Sequence, residues 1–82
     1  MIAIAKCESG LKQFNNEGEV ITSHTSDRGI FQINQVWNNT AEKLGYNIDD
    51  TQGNILMARH VYNVQGKNAW VCYTKGYYKK YL

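Results

Sequence analysis

Two residues in the first third of the chain, Glu8 and Asp27, have carboxyl side chains of the kind that acid catalysis requires. Glu8 closes an apolar stretch that contains Ile4 and Cys7, and a carboxyl group withdrawn from water has the raised pKa that suits a general acid near neutral pH. Asp27 is followed by Arg28, whose positive charge favours the ionised carboxylate. A protonated donor paired with a charged carboxylate is the pattern of a glycosidase. Taken alone, a glutamate at such a position is more often a helix cap or a surface residue.

Polar and aromatic side chains that suit a sugar follow Asp27 along the chain. Gln32 and Asn34 offer hydrogen bonds, and Trp37 offers a ring on which a sugar can stack. An alternative role for Gln32 and Asn34 is to satisfy backbone groups of a turn. The sequence is equally compatible with two roles for Trp70, which could pack in the core or form one wall of a sugar-binding cleft.

The elements that must position these residues are short. Residues 2–8 predict a buried helix that ends at a glycine cap at Gly10, which places Glu8 on its last turn. Residues 14–25 predict a small hairpin, because strand-forming residues follow an Asn-Asn-Glu-Gly turn. The apolar run 29–34 is compatible with a strand or with a tight turn on the core.

Two further helices are predicted beyond Trp37. Residues 40–44 predict a short helix capped by Asn39 or Thr40. The longest helix is expected to begin at residues 49–51 and to end at Gly66, as the central helix of the core. The residues that recur at helical spacing along it are Ile55, Ala58, Val61, Tyr62 and Gln65. Residues 69–73 then predict an apolar turn against the core.

Length and composition describe one small domain over residues 1–82, with 43% hydrophobic and 20% charged residues and no proline. A chain this short buries only about 60–65% of the surface that its unfolded form exposes, so a thin core with a covalent staple is expected. Residues 73–82 form a basic and aromatic tail. We expect its tyrosines to pack on the core rather than to bind glycan or nucleic acid.

The two cysteines, Cys7 and Cys72, lie near opposite ends of the chain. A disulfide between them would close nearly the whole chain into one loop, and it would persist only in an oxidising compartment. Composition gives equal weight to two buried free thiols in a cytosolic protein.

Charge and motif content exclude several classes of function. The net charge of +2 divides into −3 over residues 1–50 and +5 over residues 51–82. The total is too small to indicate nucleic acid, whereas the basic half suits an anionic polymer such as a bacterial envelope, or consists of ordinary solvated lysines. No stretch approaches the roughly 20 apolar residues of a membrane span, and residues 1–5 are too short for a signal peptide. His24 and His60 lack metal-ligand spacing, and no metal or organic cofactor is predicted.

Several separate motifs lie along residues 1–73: CESG at 7–10, SDRGIFQIN at 26–34, Trp37, NI at 54–55 and QGKNAWV at 65–71. Their order and approximate spacing are similar to those of a c-type lysozyme, and the chain therefore resembles the lysozyme-like superfamily. The resemblance implies a small α+β fold, in which a helical lobe and a short β-hairpin lobe enclose a cleft.

The resemblance also implies roles for individual residues. Glu8 matches the family's general acid, and Asp27 matches its nucleophile or stabiliser of the sugar cation. Asn34 and the backbone of Ala69 match the groups that hold the N-acetyl substituent. Trp37 matches a stacking residue on the rim. A further position, Trp70, matches the indole that packs near the acid and raises its pKa.

The chain departs from a c-type lysozyme in lacking the leading helix, a long disulfide-bonded loop after Trp37 and most of the cysteines. The placement of Cys7 and Cys72 is instead similar to that in resuscitation-promoting factors, which use a single glutamate, and lytic transglycosylases share the Glu-Ser-Gly motif. The resemblance implies that Cys7 and Cys72 are joined, because such enzymes act outside the cytosol.

The resulting expectation is a monomeric peptidoglycan hydrolase, extracellular or in the cell envelope, that cleaves the β-1,4 bond between N-acetylmuramic acid and N-acetylglucosamine. Its partners would be peptidoglycan or chitooligosaccharide, with no nucleic acid and no membrane insertion. The alternatives are a lytic transglycosylase that gives 1,6-anhydro products and a non-catalytic glycan-binding module.

Overall fold

The secondary structure combines short helices with one small sheet, and the computed structural model describes residues 1–82. The α-helices are α1 (Ile2–Ser9), α2 (Asn38–Leu44), α3 (Thr51–Gln65) and α4 (Val71–Thr74). Strands β1 (Asp27–Arg28) and β2 (Ile33–Asn34) form an antiparallel pair. Three 3₁₀ turns span Gln35–Trp37, Gly66–Ala69 and Tyr77–Tyr81. The predicted α+β class is confirmed.

The ends of α1 and α3 lie where local sequence signals place them. Gly10 follows α1 in the left-handed conformation, with φ +70°, which glycine adopts without steric cost. The carboxylate of Asp50 caps α3 by accepting a hydrogen bond of 2.9 Å from the backbone N–H of Gln52, and Gly66 follows the last residue of that helix. Each of these helix ends is therefore set by a residue that lies directly next to it in the sequence.

The start of α2 differs from the prediction. It begins at Asn38, and neither Asn39 nor Thr40 caps it. The cap lies further upstream, because Asn34 Oδ1 accepts a hydrogen bond of 3.1 Å from the N–H of Val36 and so starts the 3₁₀ turn that leads into α2.

The predicted hairpin over residues 14–25 is wrong in the location of its strands. That segment has only the single bridges Phe14↔Val20 and Thr22↔Arg28. The paired strands are β1 and β2, with Asp27 opposite Asn34. No residue of the segment is buried, so its strand formers lack the packed face on which a longer ladder would depend.

The core lies between α1, α3 and the sheet. Its buried members are Ile4, Ile33, Ala41, Ile48, Met57, Ala58, Val61 and Trp70. The expectation that Ile55 and Tyr62 share the buried face of α3 is wrong, because they are 43% and 41% exposed. The buried face is instead centred on Asn54, Met57 and Val61, at the spacing of three to four residues that one helix face requires.

A disulfide joins Cys7 on α1 to Cys72 on α4, across 65 positions of sequence, so the predicted bridge is confirmed. The final 3₁₀ turn packs against α1. Within the tail, Tyr73 and Tyr78 pack on the core as expected, whereas Tyr77 is exposed. None of the helices combines the length and the apolar character that crossing a bilayer requires.

We expect the double substitution Cys7→Ser, Cys72→Ser to destabilise the fold severely. Opening a loop of this size releases about 4 kcal/mol of chain entropy in the unfolded state, which corresponds to a fall in melting temperature of more than about 15 °C in so small a domain. Thermal unfolding followed by circular dichroism measures the change. An unaltered melting temperature would show that packing alone holds α1 to α4.

Candidate active site

Glu8 lies on the last turn of α1 and is half-buried. Its Oε2 accepts a hydrogen bond of 3.3 Å from the backbone N–H of Cys72. The preceding residue, Cys7, is bonded covalently to the same Cys72. Two consecutive residues of α1 are therefore fixed to one residue of α4, which restricts the position of the carboxyl group.

The pKa of Glu8 is raised above its ordinary value. Burial is the largest cause, because it disfavours the charged form. The hydrogen bond from Cys72 opposes the shift, and the negative charge of Asp27 adds to it. The charge of Asp27 therefore contributes to the ionisation of Glu8, and the raised pKa favours the protonated form that a general acid needs.

Asp27 on β1 is held by three side-chain donors. Asn34 Nδ2 donates to Oδ1 over 2.8 Å, while the hydroxyls of Ser23 and Thr25 both donate to Oδ2. Burial raises the pKa of Asp27, but these hydrogen bonds and the charge of His24 outweigh burial and leave the pKa below its ordinary value. The carboxylate is therefore ionised where Glu8 is still protonated.

The expectation that Arg28 favours the ionised form of Asp27 is wrong. Arg28 Nε lies 2.7 Å from Asp49 Oδ1 instead, in an ion pair in which neither buried atom has another partner. Successive side chains of a strand point to opposite faces of the sheet, so Arg28 turns away from Asp27. Although Asp27 and Arg28 are adjacent in sequence, only Asp27 lines the candidate site.

A small cleft of about 60 Å³ brings Asp27 together with all five predicted sugar-binding residues. Those residues are Gln32, Asn34, Trp37, Ala69 and Trp70, and the lining is completed by Ile33 and Val61. The cleft holds only a few water molecules, so a sugar would lie across its mouth rather than inside it. Glu8 is not part of this lining.

The two tryptophans play different structural parts in the cleft. Trp37 is half-buried and meets the ring of His60 edge-on, with ring centres 6.2 Å apart. Trp70 is only 4% exposed, belongs to the core and donates from Nε1 to the carbonyl of Phe31 over 2.8 Å. Core packing and a position in the cleft wall, the two interpretations of Trp70, are therefore both present.

The amide groups of Gln32 and Asn34 are engaged within the protein. Gln32 has φ +50° and donates from Nε2 to the carbonyls of Ile21 and Gly29. Asn34 donates from Nδ2 to Thr25 O and to Asp27. The interpretation of Gln32 as a residue that satisfies a turn is confirmed, and its N–H groups are not free to bind a sugar.

The loop between β1 and β2 is fastened to α3 by Asn54, which is fully buried. Asn54 Nδ2 donates to the carbonyls of Arg28 and Ile48, both over 2.8 Å, and its Oδ1 accepts from the N–H of Phe31 over 3.0 Å. Gly29 lies directly against this side chain with φ +79°, and any Cβ there would collide with it. The loop therefore requires both the asparagine and the glycine.

A second buried amide, Gln13, fastens the same loop. Its Oε1 accepts from the N–H of Ile30 over 2.8 Å, and its Nε2 donates to Ile48 O over 3.0 Å. The hydroxyl of Ser9, next to the acid, donates to Ile30 O over 2.7 Å. Ser9 thus links the end of α1 directly to the loop that follows Asp27.

Three residues that shape the site were not predicted from the sequence: Gln13, Ser23 and Thr25. Ser23 and Thr25 precede Asp27 by four and two positions, and hydroxyls at such short spacing from a carboxylate are a local indication that they donate hydrogen bonds to it. Gln13 had no comparable signal, because a lone glutamine after a helix is typical of an exposed position. No group of three or more His, Cys, Asp or Glu side chains is arranged to hold a metal ion.

Comparisons of the chain with models of protein families, with curated proteins and with solved structures found no match. What the chain does is therefore inferred from its own residues. The relevant features are the opposite pKa shifts of Glu8 and Asp27 and the aromatic cleft beside Asp27.

We expect Asn54→Ala to lower the free energy of unfolding by about 3 kcal/mol or more, because it leaves buried backbone groups of the loop without a hydrogen-bond partner. Urea denaturation measures the change. The matched control is Asn63→Ala, at an exposed position of the same helix, where we expect less than about 0.5 kcal/mol. Equal effects of the two substitutions would mean that the loop does not depend on Asn54.

Proposed function

We propose that this chain is a peptidoglycan hydrolase of the lysozyme-like superfamily, with the helical and β lobes of that fold on either side of the cleft. Its reaction would be cleavage of the β-1,4 bond between N-acetylmuramic acid and N-acetylglucosamine. The observation that carries the proposal is a pair of carboxyl groups with opposite pKa shifts, raised at Glu8, in part by the charge of Asp27, and lowered at Asp27 by its hydrogen bonds. Such a pair divides the roles of acid and anion between two residues.

The first step uses the proton on Glu8. The carboxyl group donates it to the glycosidic oxygen, the bond between that oxygen and C1 breaks, and the leaving sugar departs with a free hydroxyl. Positive charge develops on C1 and its ring oxygen. The ionised carboxylate of Asp27 offsets this charge, which lowers the barrier most effectively in a site that is partly withdrawn from water.

The second step consumes water. Glu8, now a carboxylate, takes one proton from a water molecule, and the oxygen of that water bonds to C1. One water is consumed for each bond cleaved, and Glu8 regains its proton. Both oxygens of Asp27 already accept hydrogen bonds from neighbouring side chains, which favours electrostatic stabilisation over formation of a covalent bond to the sugar.

The cleft supplies the contacts that hold the sugar beside Asp27, and the sugar would have to extend beyond the lining of the cleft to reach Glu8. The half-buried ring of Trp37 offers a stacking face. The backbone of Ala69 would hold the N-acetyl group together with Asn34 Oδ1, which accepts only one hydrogen bond within the protein, while Asn34 Nδ2 fixes Asp27 over 2.8 Å. Trp70 belongs to the core and also lines the cleft, so its ring forms part of the wall that separates them. Because Asn34 would contact the sugar and also donates to Asp27, it would couple sugar binding to stabilisation of the developing charge.

A lytic transglycosylase is the second candidate, and it is favoured because Asp27 is already engaged by three side-chain hydrogen bonds, which account for this carboxylate without a role in catalysis. In that reaction the muramyl 6-hydroxyl oxygen bonds to C1, its proton passes to Glu8 and no water is consumed. A non-catalytic glycan-binding module is the third candidate, favoured by the small volume of the cleft, about 60 Å³.

The site of action we propose is extracellular or in the cell envelope, with the chain acting as a monomer on insoluble wall or on chitooligosaccharide. The Cys7–Cys72 disulfide supports this location, because such bonds persist in oxidising compartments. The proposed reaction needs no metal and no organic cofactor, since protonation and charge stabilisation are both provided by carboxyl groups.

We expect Glu8→Gln to reduce the rate of cleavage of purified cell walls by at least about 10²- to 10⁴-fold, because the amide has no proton to donate to the leaving oxygen. Release of soluble fragments measures the rate, and circular dichroism verifies that the fold persists. The control is Glu42→Gln, an exposed carboxylate on α2, which should match the unmodified chain. Full activity of Glu8→Gln would end the assignment of the acid.

Asp27→Asn separates the first two candidate reactions. A hydrolase that uses Asp27 to stabilise the sugar cation should lose activity about 10²-fold or more, as when another preorganised charge is removed. A glutamate-only transglycosylase should retain most of its rate. The same assay on cell walls measures the difference, and near-normal activity would contradict the hydrolytic role of Asp27.

The pH dependence of kcat/KM on a soluble chitooligosaccharide should be bell-shaped. Activity rises with pH as Asp27 ionises, below the ordinary aspartate pKa, and falls as Glu8 loses its proton, above the ordinary glutamate pKa. In Asp27→Asn the limb at high pH should move to lower pH, because the Asp27 charge that raises the Glu8 pKa is gone. A limb that stays in place would mean that the two groups do not interact.

A further inference from the structure

An open groove of about 490 Å³ near the end of the chain is strongly basic and is not used by the proposed reaction. Lys75 and Lys79 line it together with Asn68, Tyr73 and Tyr78, and no acidic side chain does. Two of the cationic side chains of the basic half of the chain, Lys75 and Lys79, lie here. Residues 51–82 carry five cationic side chains and no acidic one, so a bound anion would meet no opposing charge from this half of the chain.

The tyrosines in this groove are already engaged with each other. Tyr73 and Tyr78 stack with ring centres 5.1 Å apart and pack on the core, and Lys67 Nζ lies 5.7 Å from the centre of the Tyr73 ring. The face of Tyr73 is therefore not available to stack on a nucleic-acid base, which is the usual contribution of aromatic residues to single-strand binding. What the groove offers a ligand is positive charge with polar neighbours.

The groove is adjacent to the cleft that contains Asp27. The 3₁₀ turn Gly66–Ala69 contributes to both, because Ala69 lines the cleft and its neighbour Asn68 lines the groove. A polymer that lies across the cleft and continues past this turn on the side of Asn68 would meet Lys75 and Lys79. An oligosaccharide without charged substituents would gain hydrogen bonds from these ammonium groups but no attraction between opposite charges.

We propose that the groove binds carboxylate groups carried by a glycan strand that occupies the cleft, and that it thereby favours an acidic, peptide-substituted glycan over neutral chitin. The identity of the strand rests on the proposed function. Lysine suits this task, because a compact ammonium on a flexible stem attracts an anion without demanding one fixed geometry. Because both lysines are exposed, the preference should weaken as salt is added.

The test measures binding in the Glu8→Gln background, in which the ligand is not cut. The ligands are a soluble peptidoglycan fragment that retains its peptides and a chitooligosaccharide of the same length. Adding Lys75→Gln and Lys79→Gln should raise the Kd for the peptidoglycan fragment about threefold to tenfold, and should reduce its preference over the neutral ligand by the same factor. The control pair, Lys12→Gln and Lys43→Gln, removes equal charge from positions outside the groove.

The inference would be overturned by equal weakening from the control pair, by equal weakening for both ligands, or by no weakening at all. Tighter binding of single-stranded RNA with the same dependence on Lys75 and Lys79 would overturn it in favour of nucleic acid. Cleavage by the unmodified chain reports separately on the proposed function. Lysine-dependent binding without cleavage would defeat only that function, whereas cleavage without lysine-dependent binding would defeat only this inference.

Discussion

The hydrogen bonds of two buried amides, Asn54 and Gln13, hold the loop between β1 and β2 in place, and the candidate site depends on them. They satisfy the backbone of the loop at Phe31 and Ile30 and meet at the carbonyl of Ile48. Two strands of two residues each could not hold this loop alone, because such a short ladder is marginal in water. Buried amides whose oxygen and nitrogen atoms are both hydrogen-bonded instead specify one conformation of the loop, and the position of Asp27 follows from it.

The acid is connected to the same framework by a second set of bonds. The disulfide from Cys7 and the hydrogen bond from Glu8 both end on Cys72, while Ser9 reaches the loop at Ile30. Cys7 and Glu8 therefore fix the end of α1 to α4, and Ser9 fixes it to the loop beside Asp27. In a domain with so thin a core, these links perform the positioning that a larger domain obtains from packing.

Local signals made part of this arrangement predictable from sequence. The ends of α1 and α3 depend on Gly10 and Asp50, which act within their own helix. The five residues predicted to bind sugar lie together in one cleft, whereas their binding of sugar stays a prediction. The strands were misplaced, since the loop between β1 and β2 is fixed by two distant amides, Gln13 and Asn54, which no local pattern reveals. The true partner of Arg28 on the opposite face of the sheet was likewise set by tertiary contacts.

Glycan cleavage by addition of water is the central claim, and the chemical nature of the new chain ends tests it most directly. Purified peptidoglycan should be digested with the chain and the released fragments analysed by mass spectrometry, with Glu8→Gln as the blank. Our account predicts fragments that have gained one water at each cleaved bond and end in a reducible N-acetylmuramic acid. Fragments that end in 1,6-anhydro-muramic acid would contradict hydrolysis, and the absence of any new ends would contradict catalysis altogether.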